Sequence, residues 1–416
     1  MHKKVINRNI ILYMAGQLVS LLGTNIYSFV VGLYIMEITG SALSFGLSFV
    51  LNTLPRVIFG TISGVVIDRI NKKKAVVGLD LLCAIILLAT FSISSFSGLS
   101  IISLYVTIFL LSICNTFFYT AMMSSIPSFT DKENMIKVNS LGNMSSSVAS
   151  ICAPFLGGIL ISLIDIKVFL FIDAITFLFS ALSETFIDFT VGEKEEKCIE
   201  AKTSKSSFIN DYKEGFQYVK SQKWISSICC FVLLLNSLLI VGLEIGVPYI
   251  AKQVLGFTSQ QYGFLNISYP LGVFVASLML SVVKQPKNSG KRIIKCISII
   301  GLALIFMGVI VSGKIHAFNN VEYLLILSCM YLVIAVAETF VNVPVFTMIQ
   351  KMVDRDKIGR VQGIISTLIL GLAPVSSIVG GFLLDIITPW ILQVACGAGM
   401  LLLIGFMLKN EKIKSI

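Results

Sequence analysis

Apolar runs of about 20 residues alternate with short polar turns along this chain. About 20 helical residues cross the ~30 Å hydrocarbon core of a bilayer. The pattern predicts twelve spans, at 10–36, 43–67, 75–95, 100–123, 139–164, 167–188, 225–250, 259–283, 293–313, 322–349, 361–386 and 389–408. One long polar stretch, from about 189 to 223, parts six spans from six. Its first portion, "GEKEEKCIEAKTSKSS", is charged and has little apolar surface to bury. Its second, "FINDYKEGFQYVKSQKW", sets Phe208, Tyr212, Phe216 and Val219 at helical spacing, as in an amphipathic helix lying on a membrane surface. The expected organisation is a six-helix bundle over 1–190, a cytoplasmic linker over 191–223 and a second six-helix bundle over 224–416. The basic opening "MHKKVINRN" is like a signal peptide's, but the apolar run behind it is too long and lacks a small-residue cleavage site. It reads as an uncleaved first span.

Charge fixes a direction for this pattern. The formal net charge is +10, which alone would suit nucleic acid. With the first tail placed in the cytoplasm, however, 28 of the 32 Lys and Arg fall in cytoplasmic segments. The outer loops hold Lys167, Lys252 and Lys314, and Arg56 lies inside a span. This is the positive-inside distribution of a multi-pass membrane protein with both termini in the cytoplasm. It leaves no folded basic domain for nucleic acid. Composition agrees, with 13% charged residues against roughly 25% in soluble domains. The nine cysteines form no CxxC pair and read as packing residues. His2 and His316 fall in a tail and a loop, so no metal site is expected. No phosphate-binding G-x-x-x-x-G-K-[ST] is present, so the chain is not expected to hydrolyse ATP or to need a cofactor.

The two halves are related. "DKENMIKVNS" (131–140) aligns with "DRDKIGRVQG" (354–363) at an offset of 223, and Gly157–Gly158 match Gly380–Gly381 at the same offset. Ala153–Pro154 and Ala373–Pro374 correspond with a small slip. Two parallel six-span repeats are a transporter pattern, with the pathway at their interface.

"GVVIDRINKKK" (64–74) ends the second span on an acid followed by cations. Gly64 and Asp68 share a helix face, and Gly64 admits a neighbouring helix closely. An acid at a helix C-terminus is unfavourable for its own helix, so Asp68 should face something positive. Span 11 presents its N-terminus on this side and is the expected dock. Arg69 and Lys72–Lys74 are expected to meet headgroups or nearby acids.

G-x-x-x-D-R-x-x-K-K after the second of twelve spans resembles the signature loop of the major facilitator superfamily. The resemblance implies an all-α integral membrane protein with twelve helices in two pseudo-symmetric bundles. It also implies a conformational switch formed by Gly64, Asp68, Arg69, Lys72 and Lys73. In span 5, Ser140, Ala149, Ala153, Pro154, Gly157 and Gly158 resemble the antiporter motif of drug-export branches, with three of its glycines replaced by Ser or Ala. Physically, Ala149, Ala153 and Gly157 form a small-residue stripe for close helix packing, repeated by Ala373, Ser377 and Gly381. "TGSALSFGLSFVLNTLPRVIFG", "IPSFTDKENMIKVNSL", "FIDAITFLFSA" and "YKEGFQYVKSQKWI" resemble macrolide-efflux-type exporters of bacterial plasma membranes over nearly the whole chain. Span 4 lacks the Arg that many proton-coupled drug exporters carry there.

An ionisable side chain at bilayer depth is costly and marks function by default. Glu338 in span 10 is the leading candidate for proton coupling. Glu244 in span 7, Asp173 in span 6 and Arg56 in span 2 follow as coupling or substrate residues. Asp80 lies in the inner part of span 3, and Asn25, Asn52, Asn115 and Asn236 supply neutral hydrogen bonds or join helices. The expected function is a proton-driven exporter of bulky amphipathic molecules such as macrolides, acting by alternating access as a monomer in the bilayer. An importer or dedicated metabolite exporter is the alternative within the superfamily, and a non-transporting receptor or an enzyme the remote one.

Overall fold

The computed structural model describes residues 2–130, 132–189, 217, 222–282, 289–313, 318–352 and 358–409. The expected amphipathic helix at 208–219 therefore lies outside the described residues, apart from position 217. Twelve helical rods follow one another among the described residues. They are α1 (His2–Thr39), α2 (Ala42–Asp68), α3 (Lys72–Ser97), α4 (Ile101–Phe129), α5 (Lys132–Leu163) and α6 (Ile166–Thr185). Then come α7, which opens as Lys223–Leu239 and runs through two wide turns to Val254, α8 (Ser259–Val282), α9 (Ser289–Val311), α10 (Asn320–Met352), α11 (Ile358–Ile386) and α12 (Pro389–Lys409). Among the described residues, ten helical stretches are long and apolar enough to cross a membrane, and Gly371–Ile386 and Pro389–Gly405 are shorter apolar ones. Some helices outrun the apolar runs, as α1 does by beginning at His2. Backbone hydrogen bonding continues wherever residues still favour it, whether or not their side chains are apolar.

Turn chemistry ends the rods. Asn71 accepts from the Lys74 N–H at 3.1 Å to cap α3, and Asp165 accepts from the Lys167 N–H at 2.8 Å to cap α6. Gly40 and Gly98 take the positive φ values of 64° and 81° that the α1–α2 and α3–α4 turns require. Large apolar side chains stand bare, with Phe96 91%, Leu402 77% and Ile102 73% exposed. Water would penalise such a surface, whereas lipid tails cover it.

The chain divides into two compact units: Met1–Ile35 with Leu51–Thr203, and Met36–Val50 with Ser204–Ile416. In the first, α3 packs on α4 and α6 around Tyr27, Val31, Leu87, Leu104, Phe169 and Phe177. A second apolar cluster gathers Tyr13, Ile67, Val76, Met122 and Phe129. Asn9 ties the start of α1 to two helix ends, donating to Phe129 O at 3.3 Å and Asp188 O at 2.9 Å.

In the second unit, α9 packs on α12 and α8 on α10, with glycines at the crossings. A Cβ at Gly272 would stand 2.7 Å from Leu332 O. The α1–α2 corner, residues 36–50, belongs to this unit and not to the first. Asp385 at the end of α11 caps α2 from outside, accepting from Ser41 Oγ at 2.7 Å, Ala42 N at 2.8 Å and Leu43 N at 3.3 Å. Lys252 forms an ion pair with Glu37, and Gln253 donates to Met36 O at 3.0 Å.

Candidate functional site

The second unit concentrates its buried polar chemistry around an irregular stretch of α7. Pro248 has no N–H, so the carbonyl of residue 244 loses its usual helical partner. The backbone widens into π turns at Ile240–Gly246 and Ile250–Val254. Such turns leave carbonyls under-satisfied, and buried carbonyls need donors. Side chains of neighbouring helices supply them. Gln393 of α12 donates to Gly242 O at 2.7 Å, and Tyr331 of α10 donates to Leu243 O at 3.3 Å. A Cβ at Gly246 would stand 2.9 Å from Gln393 Nε2, so a glycine is needed for that side chain to reach in.

The wide turn presents Glu244, which is exposed, within electrostatic range of Glu338 on α10. Glu338 is half-buried and fully partnered. Tyr269 of α8 donates its hydroxyl to Oε2 at 2.5 Å, and Asn342, one turn along α10, donates to Oε1 at 3.2 Å. The Tyr269 and Tyr331 rings meet edge to face at 6.2 Å, which holds Tyr269 over the carboxylate. The result is one carboxylate locked by two donors beside a second that is free to meet solvent or ligand. Such a pair can hold or pass on a proton, or bind a cationic group.

Of the residues singled out from sequence, Glu338 and Glu244 are brought together here. Asp173 is not. It is buried in the first unit, where Thr176 Oγ1 lies 3.3 Å from its Oδ1 and a Cβ at Gly23 would stand 2.8 Å from it. Arg56 is exposed and has no ion-pair partner among the described residues.

The signature loop is described in part. Among the described residues nothing lies within 4 Å of where a Cβ at Gly64 would go, so none of them approaches closely at that position. Among the described residues, Lys72 and Lys73 reach backbone carbonyls. Lys72 Nζ donates to Ser124 O at 2.8 Å and Lys73 Nζ to Ile187 O at 3.0 Å. They neutralise the negative ends of α4 and α6, as cations at helix C-termini do. Arg69 is exposed. Asp68 is the last residue of α2, but its side chain, and those at the start of α11, the expected dock, lie outside the description.

The α5 stripe packs as its residue sizes require. Ala149 and Ala153 are buried, Gly158 is buried and Pro154 half-buried, and a Cβ at Gly157 would stand 2.7 Å from the Phe29 ring of α1. Its repeat partner Gly380 faces Val241 in the wide turn, and Gly381 packs against the backbone of Ala42 and Leu43. Sequence reasoning missed Tyr269, Asn342, Tyr331 and Gln393. Pro248, preceded by Gly242 and Gly246 within an apolar run, is the one available signal for the wide turn.

Comparison with known proteins accords with this architecture. The chain is 22% identical over 381 residues to Macrolide efflux protein A of Streptococcus pyogenes, covering 89% of this chain and 88% of that one. It is 25% identical over 225 residues to the uncharacterized MFS-type transporter YkuC of Bacillus subtilis (strain 168), covering 53% and 52%. Among solved structures, a bacterial homologue of the iron transporter ferroportin in an inward-facing state superposes with a TM-score of 0.73 at 14% identity, covering 96% of this chain and 98% of that one. The nucleoside transporter NupG does so with a TM-score of 0.69 at 15% identity, covering 96% and 98%. At these identities the solved structures speak to the fold. The family model of the Major Facilitator Superfamily matches residues 13–375, and this chain, a membrane transporter, belongs to that superfamily.

Proposed function

We propose that this transporter exports bulky amphipathic compounds of the macrolide type, driven by inward proton movement. The observation that carries the coupling is the Glu244–Glu338 pair beside the wide turn of α7, with Tyr269 and Asn342 fixing Glu338. A carboxyl inside a membrane helix bundle is costly to keep charged, so its protonation can follow the alternation of the surrounding helices. The substrate class and the outward direction are supported by the likeness to Macrolide efflux protein A over most of both chains. One proton crossing ~100 mV and about one pH unit releases roughly 3.7 kcal/mol, enough to hold a gradient of about 500-fold for a neutral substrate exchanged one for one.

In this reading, 1–190 and 224–416 are two six-helix bundles joined by the linker at 191–223. A monomer is the transporting unit, and both termini face the bacterial cytoplasm. Gly64, Asp68, Arg69, Lys72 and Lys73 bias the conformational equilibrium, with Lys72 and Lys73 doing so through the ends of α4 and α6. The test uses inside-out vesicles carrying an imposed pH gradient, to which macrolides, dyes and cationic drugs are added in turn. Partial collapse of the gradient with one compound, lost in Glu338→Gln, is expected. No response across the panel, with the protein confirmed in the membrane, would refute the proposal.

A further inference from the structure

The first unit holds a second acidic pair that the transport reading does not use. Asp80 of α3 and Glu184 of α6 are fully buried, at 0% exposure each. They interact electrostatically, and Ser180 stands between them. Counting donors exposes a deficit. Ser20 Oγ donates to Asp80 Oδ1 at 3.0 Å. The Ser180 hydroxyl lies 3.0 Å from Gly16 O and 3.4 Å from Glu184 Oε1, and is also within reach of Asp80. A hydroxyl has one proton to give, so Ser180 serves one of these three acceptors at a time. Asp80 Oδ2 and Glu184 Oε2 have no partner among the described residues.

No Lys or Arg pairs with either acid among the described residues, where the one ion pair is Lys252–Glu37. Among the described residues, the ionisable groups that act electrostatically with the pair are Tyr13, Cys83 and Cys114, with Asp173 beyond Cys83, none of them cationic. Tyr13 of α1 is wholly buried and is an electrostatic neighbour of Glu184, and its hydroxyl has no partner among the described residues. Gly16 brings the α1 backbone over the pair, since a Cβ there would stand 2.8 Å from Ser183 Oγ and 3.3 Å from Glu184 Oε1. Two carboxylates cannot both remain ionised in such a place without a positive charge between them.

We infer that Asp80, Glu184 and Ser180 form a binding site for one monovalent cation, a proton or Na⁺, inside the first unit. A Ca²⁺ ion would take about six to eight oxygens, and no third Asp, Glu, His or Cys completes a metal site among the described residues. This site is separate from Glu338 and does not depend on the transport reading.

The test uses the full chain purified in lipid nanodiscs. Thermal unfolding is followed in NaCl and in choline chloride, and the protonated-carboxyl infrared band is followed as pH is raised. If Na⁺ is the occupant, NaCl raises the melting temperature of the wild type and not of Glu184→Gln. If the proton is, sodium has no effect, and a carboxyl band present in the wild type disappears on alkalinisation and is missing from Asp80→Asn or Glu184→Gln. Ser180→Ala keeps both acids and the fold's volume. It is expected to weaken Na⁺ binding several-fold or to shift the pH at which the band is lost, which covers the case in which the amide variants do not fold. A wild type with neither a sodium response nor a titrating buried carboxyl overturns the inference.

Discussion

The two units keep their buried acids in opposite company. In the second, Glu338 has a donor on each oxygen, and Glu244 beside it is exposed. In the first, Asp80, Asp173 and Glu184 are buried, and each keeps one oxygen without a partner. A fully partnered acid next to an open one is poised to change state with its surroundings. Sealed acids short of donors instead call for a resident charge. Internal repetition thus gave two related scaffolds that diverged in what their polar interiors do.

The sharpest break in this comparison comes from neutralising one acid on each side. Glu338→Gln should cut pH-gradient-driven transport about a hundredfold, or ~2.7 kcal/mol, while Asp173→Asn should stay within about twofold. Equal losses in a vesicle flux assay would erase the distinction. Next is the repeat-matched glycine pair. Gly157→Ala puts a methyl 2.7 Å from the Phe29 ring, whereas Gly380→Ala meets Val241 at 3.1 Å. Thermal unfolding in detergent should show a loss of about 2 kcal/mol for the first and under about 1 kcal/mol for the second, within the usual range for overpacking.

Removing one donor from Glu338 should do less than removing its charge. Tyr269→Phe is expected to slow transport about fivefold, close to the ~1 kcal/mol of a single hydrogen bond, with Glu244→Gln unchanged in its own effect when the two are combined only if the carboxylates act separately. The smallest effect tests the cap on α2. Asp385→Ala removes an acceptor serving three donors and should cost about 1 kcal/mol, or a melting shift of roughly 2–4 °C. Ser162, at the matching repeat position, should tolerate Ala within about 0.5 kcal/mol.

Much of this was legible in the chain because hydropathy declares a membrane helix locally. An acid in an apolar run likewise announces itself, which is how Glu338 and Glu244 stood out. Their partners did not, because Tyr269, Asn342 and Gln393 are unremarkable residues until folding brings α8, α10 and α12 to α7. Glu184 was passed over because an acid near the end of a span looks like an interfacial residue. The helix α6 is shorter than its apolar run, and Asn9 closes over its end, which leaves Glu184 inside. Lys72 and Lys73 were read from their charge alone, whereas carbonyls at helix ends, invisible in a sequence, are what they touch.

The wide turn of α7 has a consequence for how this protein can change over time. Each π turn accommodates one residue more than an α-helical turn would, so a single deletion within Ile240–Gly246 would restore the ordinary winding. Everything beyond it would then rotate by about 100° about the helix axis. Lys252 would swing away from Glu37, and the carbonyls that Gln393 and Tyr331 serve would vanish into the helix. One codon therefore separates this arrangement from a seventh helix with a single wide turn, and relatives that lack the extra residue should also lack the glutamine and tyrosine that attend it.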